Sequence, residues 1–392
     1  MTQLTIAETF VGAGGAHIGF KNEGFETVFV NDIDENMIKT LLKNQLVTEN
    51  QVIRGTIENI TEENIPSNKP IDVLFGGIVC KGFSLAGVRN PFDERNYLYL
   101  SQLRLVSIIK PKVSIIENVP SIKTMELYRK CSETIENFKI YSALSQENKN
   151  LNGQKSSRRK NNEPYSDLSE RINTNKIKMD EILKNMSAYK YNVLDEIKKI
   201  YNEMNYTCYE KVLQTSQYGG YTNRKRFFLV AVRSDILKPF VFPSPTHIKE
   251  NTVNDALQLI NYNDKYDIDN LPMKHNTKTI KRFSYIKEGG SIQDVMSILP
   301  DDLKISNFYS RGNTQRLNRN LPAPTLVPGH SNFPIHPWEN RSITVREAAT
   351  ITGFPTNFQF CGSHSSRCMQ IGNAVPIHLA RAIARSVKNI LE

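Results

Sequence analysis

The strand-sized run Ile71-Asp72-Val73-Leu74-Phe75, which empties into Gly76-Gly77-Ile78-Val79-Cys80-Lys81-Gly82, restricts the possible folds of this chain more than any other stretch. Its length, its β-branched and aromatic content and the glycines behind it read as a buried strand. The pattern recurs. Leu4–Phe10 runs into Val11-Gly12-Ala13-Gly14-Gly15, Glu26–Val30 into Asn31-Asp32, and Val113–Ile116 into Glu117-Asn118. Strands alternating with helical stretches indicate an α/β fold with a parallel sheet. In such sheets ligands sit outside the carboxyl ends of the strands, so these four loops are where chemistry is expected.

Strand, glycine turn and helix, as at 4–20, bring backbone amides to a nucleotide-like ligand. The full dinucleotide fingerprint wants glycine at 17, where this chain has His17, which disfavours a nicotinamide or flavin dinucleotide. Asp32, about 20 residues after the glycine turn, stands where a ribose diol is held. Asp34 suits a helix N-cap, and Ile33 suits an adenine face. Cys80 lies just past a strand end beside Lys81, which favours ionisation of a thiol, so it reads either as a nucleophile or as a small residue filling a turn. Glu117 follows four apolar residues and is costly to bury unless paired or used. Arg224 and Arg226 alternate into a strand and so share a face, which suits a phosphate, a carboxylate or a polarised base oxygen.

With 39% hydrophobic and 23% charged residues the 392-residue chain has an ordinary globular composition. Its apolar runs are too short for a membrane span. Met1–Thr5 lacks a signal-peptide start, which points to the cytosol. Five scattered cysteines without a Cys-x-x-Cys pair argue against a disulfide framework and a zinc site. The formal charge of +10 favours an acidic partner, with nucleic acid foremost. Residues 123–199 read as an insertion, with a polar mobile loop over 146–162 and a charged helical stretch over 170–199. Residues 238–340 are irregular, with basic and aromatic residues interleaved.

In this order, Phe10-x-Gly12-x-Gly14-Gly15, Asn31-Asp32, Gly76-Gly77 through Cys80 to Ser84, Glu117-Asn118-Val119, Arg224-x-Arg226, Arg346-Glu347 with Gly353-Phe354-Pro355, and Gln370-x-Gly372-Asn373-x-Val375-Pro376 resemble the DNA cytosine-5 methyltransferase family. The resemblance implies a Rossmann-like α/β sheet with helices on both faces and a smaller, irregular target-recognition domain. The corresponding division is a catalytic domain over 1–237, a recognition domain over 238–345 and a C-terminal segment, 346–392, returning to the catalytic domain. It implies S-adenosylmethionine as methyl donor, held by Phe10, Gly12, Gly14, Gly15, Asp32, Ile33, Thr56, Ile57, Gly77, Leu98, Asn373 and Ala374. Cys80 is then the nucleophile on a flipped-out cytosine, Glu117 its proton partner, and Arg224 and Arg226 the supports of the base. Lys81, Ser84, Arg311 and Thr325 are expected to touch DNA. Val79, Lys81, Thr56 and Thr222 depart from the usual proline, glutamine, acid and glutamine of the family.

The function this implies is methylation of carbon 5 in a specific double-stranded sequence, protecting host DNA in a restriction-modification system. The protein is expected to be a cytoplasmic, nucleoid-associated monomer without metal or membrane, outside any complex with a cognate endonuclease. An RNA (tRNA) cytosine methyltransferase and a catalytically silent DNA-binding relative are the alternatives.

Overall fold

The computed structural model describes residues 3–66, 69–78, 91–246, 249–305, 312–329 and 333–392. By internal contacts they form two compact units. The first comprises Met1–Ile78, Arg104–Glu117 and Asn205–Glu392, and the second Val79–Leu103 and Asn118–Met204.

The first unit is organised by a seven-stranded sheet. In chain order its parts are β1 (Thr5–Thr9), α1 (Gly15–Lys21), β2 (Glu26–Asp32), α2 (Glu35–Lys43), β3 (Val52–Arg54) and β4 (Val73–Gly77). The helix α3 (Leu98–Ile109) leads to β5 (Val113–Asn118). The second unit supplies β6 (Glu126–Tyr128), α4 (Ile135–Lys160), α5 (Ser166–Asn185), β7 (Lys190–Asn192) and α6 (Val193–Glu203). The first then resumes with β8 (Tyr206–Gln214), β9 (Lys225–Arg233), α7 (Val253–Leu257), α8 (Thr277–Tyr285), α9 (Val345–Thr352), α10 (His364–Asn373) and α11 (Ile377–Leu391).

Spatial strand order is β3-β2-β1-β4-β5-β9-β8, with the β3 to β5 side parallel and β8–β9 an antiparallel hairpin. The strand runs expected from sequence all form. β3 was not among them, because three half-exposed residues carry too little pattern to read. Alternation sorts the strands: Val73 and Phe75, Val113 and Ile115, and Phe228, Val230 and Val232 join one apolar cluster with α1 and α11. Gly19 makes the close helix contact possible, since a Cβ there would lie 2.6 Å from the Ala380 side chain. Glu23 ties the pair further through Arg381 (2.7 Å) and Arg385 (2.8 Å).

In the second unit, the loop expected over 146–162 is instead the C-terminal half of the 26-residue α4, packed antiparallel on α5. The buried positions Phe138, Tyr141, Asn148 and Leu151 on α4, and Leu168, Ile172 and Asn175 on α5, do follow a three-or-four spacing. Polar occupants concealed that period in the sequence. Asn175 donates to Asn148 Oδ1 at 3.1 Å, so a buried amide pair sits where apolar residues would have announced the seam. Arg158 of the basic run is spent on Asp167, 2.8 Å away. The charged stretch 170–199 is likewise not one helix: β7 divides α5 from α6 and pairs with β6.

Candidate active site

All elements of the candidate site described here, apart from Leu98, belong to the first unit. The glycine turn after β1 is built by left-handed backbone at Phe10 (φ 54°), Gly12 (57°) and Gly14 (85°). Phe10 bears this conformation with a side chain attached, at a cost of about 1–2 kcal/mol. A Cβ on Gly12 would meet nothing within 4 Å, so this turn opens onto free space. On Gly15 a Cβ would lie 2.2 Å from the Val375 carbonyl oxygen. Gly15 therefore lets the end of α10 and the residues after it, with Asn373 exposed and Ala374 buried, press against the head of α1.

Asp32 ends β2 and faces the same turn. Its Oδ2 accepts the Gly12 N–H at 2.9 Å and its Oδ1 the Asp34 N–H at 2.9 Å. Burial raises its carboxyl pKa, and the backbone donors only partly offset this. Asp34 caps α2, accepting the Asn36 N–H at 2.8 Å, as its position suggested. Ile33 is 71% exposed beside Asp32, an apolar surface left uncovered. Thr56 and buried Ile57 follow β3, and Asn31 fixes their loop by donating to the carbonyls of Ile53 (2.9 Å) and Gly55 (3.0 Å).

Asn31 was legible as part of a motif, but its part in holding Thr56 was not. His17 was read only as a missing glycine. Its ring lies buried, with Nδ1 2.6 Å from Glu8 on β1 and Nε2 3.2 Å from the Leu46 carbonyl oxygen, tying the first turn of α1 to two neighbouring elements. A buried acid on a central strand is the signal that could have found this partner.

Gly77 is paired in register with Glu117 at the ends of β4 and β5. A Cβ on Gly77 would be 3.7 Å from Glu117 Oε2, 3.7 Å from the Phe10 carbonyl oxygen and 3.8 Å from Val375. Gly77 thus adjoins both the glycine turn and the acid. Arg226 Nε lies 2.9 Å from Glu117 Oε1, an ion pair with side-chain exposures of only 11% and 9%. The approach is off the hydrogen-bond direction, and Oε1 has no directed donor. Burial pushes the Glu117 carboxyl pKa up, against the pull of Arg226 and Arg224. Arg224 is buried too and donates to the Leu326 carbonyl at 3.2 Å, while its Nε has no hydrogen-bond partner. Glu117 is thus in contact with one guanidinium, Arg226, and feels the charge of a second, Arg224.

Thr222, at a position of departure, donates to the Pro324 carbonyl at 3.3 Å, and Asn223 donates to that of Ala323 at 2.8 Å. Thr325 is exposed on this segment. The Arg224 turn is thus stitched to residues 323–326. Cys80, Lys81, Ser84 and Arg311, with Val79, lie outside the described residues. Leu98 is half-buried at the head of α3, in the second unit. Among the described residues no cluster of His, Cys, Asp or Glu could hold a metal, and no helix is long and apolar enough to cross a membrane.

A family model for C-5 cytosine-specific DNA methylases matches residues 4–142 and 147–389. The chain belongs to that family. As a C-5 cytosine-specific DNA methylase it is similar to the Type II methyltransferase M.Eco47II of Escherichia coli, at 29% identity over 99% of this chain and 79% of that protein. It also resembles the Type II methyltransferase M1.HphI of Haemophilus parahaemolyticus, at 26% over 98% and 86%. Among solved structures, a protein described as a DNA modification methyltransferase encoded within an E. coli prophage superposes with a TM-score of 0.60, at 22% identity and 99% coverage of both chains. The Entamoeba histolytica methyltransferase EhMeth does so at 0.56, with 17% identity and full coverage of both. These last two likenesses speak for the shared α/β fold. The family assignment makes the chain a DNA cytosine methyltransferase.

Proposed function

We propose that this DNA methylase transfers a methyl group from S-adenosylmethionine to carbon 5 of a flipped-out cytosine in a specific duplex sequence, protecting host DNA in a restriction-modification system. The observation that carries the reading is the buried Glu117–Arg226 pair, with Arg224 nearby and Glu117 on the strand paired with β4, whose last residue Gly77 precedes Cys80 by three positions in the sequence. The Type II methyltransferases among its relatives support the protective role.

The residues fit the cofactor. The open face of the Gly12 turn and the exposed Ile33 leave room for a nucleoside, and the half-buried Asp32 carboxylate has lone pairs left for ribose hydroxyls. Phe10, Gly14, Gly15, Thr56, Ile57, Gly77, Leu98, Asn373 and Ala374 complete the set. When bound, S-adenosylmethionine supplies an electrophilic methyl group.

Carbon 5 of cytosine is a poor nucleophile, and this chain's residues change that. The Cys80 thiolate adds to carbon 6, and the electron pair displaced from the C5–C6 bond makes carbon 5 nucleophilic. Glu117, whose burial favours its protonated form, holds a proton at ring nitrogen 3 and takes up the negative charge that addition would leave on the ring. Arg226, aided by Arg224, holds the base oxygen. After methylation, the carbon 5 proton is lost to solvent, its electron pair re-forms the C5–C6 double bond, and the C6–S bond breaks to release the Cys80 thiolate. The target carbon is inaccessible in a stacked duplex, so the base leaves the helix first.

Lys81, Ser84, Arg311 and Thr325 are assigned to DNA. Residues 1–237 with 346–392 act as the catalytic part and 238–345 as the recognition part of a cytoplasmic, nucleoid-associated monomer. The test is transfer of tritium from labelled S-adenosylmethionine to plasmid DNA, with tRNA as the parallel substrate. Wild-type protein should label DNA and Cys80→Ser should not, while still binding it. Full activity of Cys80→Ser, or labelling of tRNA alone, overturns the reading.

A further inference from the structure

From Asn148 to Lys160, α4 carries five basic residues and no acid. The structure separates them by use. Arg158 is held by Asp167, and Lys155 lies over the Tyr165 ring at 5.3 Å. Lys149, Arg159 and Lys160 are exposed and, among the described residues, form no ion pair. The charge of a helix C-terminus accounts for basic residues in the last turn. It does not account for Lys149, three turns earlier.

A second observation comes from Gly153. Glycine is the poorest helix former after proline, and it is kept inside helices mainly where another backbone comes close. Gly153 is exposed in the middle of α4, and a Cβ there would meet nothing within 4 Å. No contact among the described residues explains it. Lys149, Gly153, Ser156 and Lys160 follow one another at spacings of four, three and four, so they share a face. The two lysines stand about 16 Å apart along the axis, either side of the gap that Gly153 leaves.

We propose that this face of α4 is a second DNA-binding surface, which receives the phosphate backbone of duplex DNA outside the recognition site. Lys149 and Lys160 contact phosphates on this face, Arg159 reaches them from its flank, and Gly153 lets the backbone approach the helix. The partner is chosen by charge complementarity and by the family's substrate. Exposed cations with no exposed acid or large apolar side chain between them on the helix lack the polar-apolar mosaic of a protein interface. The surface is sequence-independent and adds affinity without reading bases.

The experiment measures binding of a fluorescently labelled duplex of arbitrary sequence against salt concentration, using the full chain. In the triple variant Lys149→Gln, Arg159→Gln, Lys160→Gln, the slope of log affinity against log salt should shrink by about 0.9 for each phosphate no longer neutralised. Methyl transfer at saturating DNA should be unchanged. Gly153→Leu should melt no lower than wild type yet bind DNA more weakly, because its bulk fills the gap without harming the helix. An unchanged slope in the triple variant overturns the proposal, as does wild-type binding by Gly153→Leu. The inference rests on DNA as the substrate. Failure of wild-type protein to methylate DNA would refute that reading instead, and would leave the salt slopes as a separate result.

Discussion

Glu117→Gln and Arg226→Gln break the same ion pair from opposite ends, and they should not be equivalent. Removing Glu117 leaves two buried guanidiniums without a counter-charge, and arginine does not shed its proton at accessible pH. Loss of one partner from a buried pair costs about 3–5 kcal/mol, and Glu117→Gln should cost less than that, because burial already favours the neutral carboxyl that glutamine mimics. Removing Arg226 leaves a carboxyl group that escapes by taking up a proton. Its pKa is already raised by burial, and Arg226 is the strongest influence holding it down. Without Arg226 it rises further.

A raised pKa means that the folded state binds more protons than the unfolded chain. Stability from that proton is complete below the unfolded value near 4.5 and is lost as pH climbs through the folded value. The Arg226→Gln deficit relative to wild type should therefore be small at pH 5 and grow with pH, by at most about 1.4 kcal/mol per unit. Urea unfolding followed by the fluorescence of Trp338, the chain's single tryptophan and a member of the first unit, reads this directly. A pH-independent Arg226→Gln deficit, or a Glu117→Gln protein as stable as wild type, would show that the pair is solvated and the reasoning wrong.

Other outcomes are also fixed by the geometry. Gly15→Ala drives a Cβ to 2.2 Å from a backbone oxygen that cannot rotate away, so it should raise the KM for S-adenosylmethionine at least tenfold in the tritium assay and lower the melting temperature. Asp32→Asn keeps an acceptor for one backbone donor but loses the charge, and calorimetry should show cofactor binding weakened by about 1–3 kcal/mol with the fold retained. Replacing Asn148 and Asn175 together with leucine should raise the melting temperature of the α4–α5 hairpin, because both partners of a buried amide pair are removed at once. A lower midpoint would mean that the amides contribute net stability.

The strands and the loops behind them were legible because burial on both faces demands continuous apolar runs, and the loops must break them with glycine or acid. That is why Asp32, Glu117 and Gly77 are legible from sequence as strand-end residues. The geometry of Glu117 with Arg226 was not legible. It depends on β9 lying next to β5, and no local pattern encodes a pairing between segments more than a hundred residues apart. The α4–α5 hairpin was misread for the opposite reason. Its seam has the right spacing, but amides stand at Asn148 and Asn175, and charged residues crowd the positions around it. His17 shows a third kind of loss, since its meaning resides in Glu8 and Leu46 and not in the turn that contains it.

The packing of α11 on α1 has a consequence for biosynthesis. Phe20 and Ala16 on the first helix share one apolar cluster with Leu379, Ile383 and Val387 on the last, and Gly15 is fitted to Val375. At about 5–20 residues per second, the ribosome needs roughly 20 to 75 s after making α1 to deliver α11. For that interval the glycine turn has no wall on its Val375 side and the apolar face of α1 has no cover. A nascent chain therefore cannot assemble this turn in its final form, and a message cut short before residue 375 should yield a protein that neither stores the cofactor nor marks DNA. In a cell acquiring such a gene, DNA methylation would begin only with chains that extend through α11.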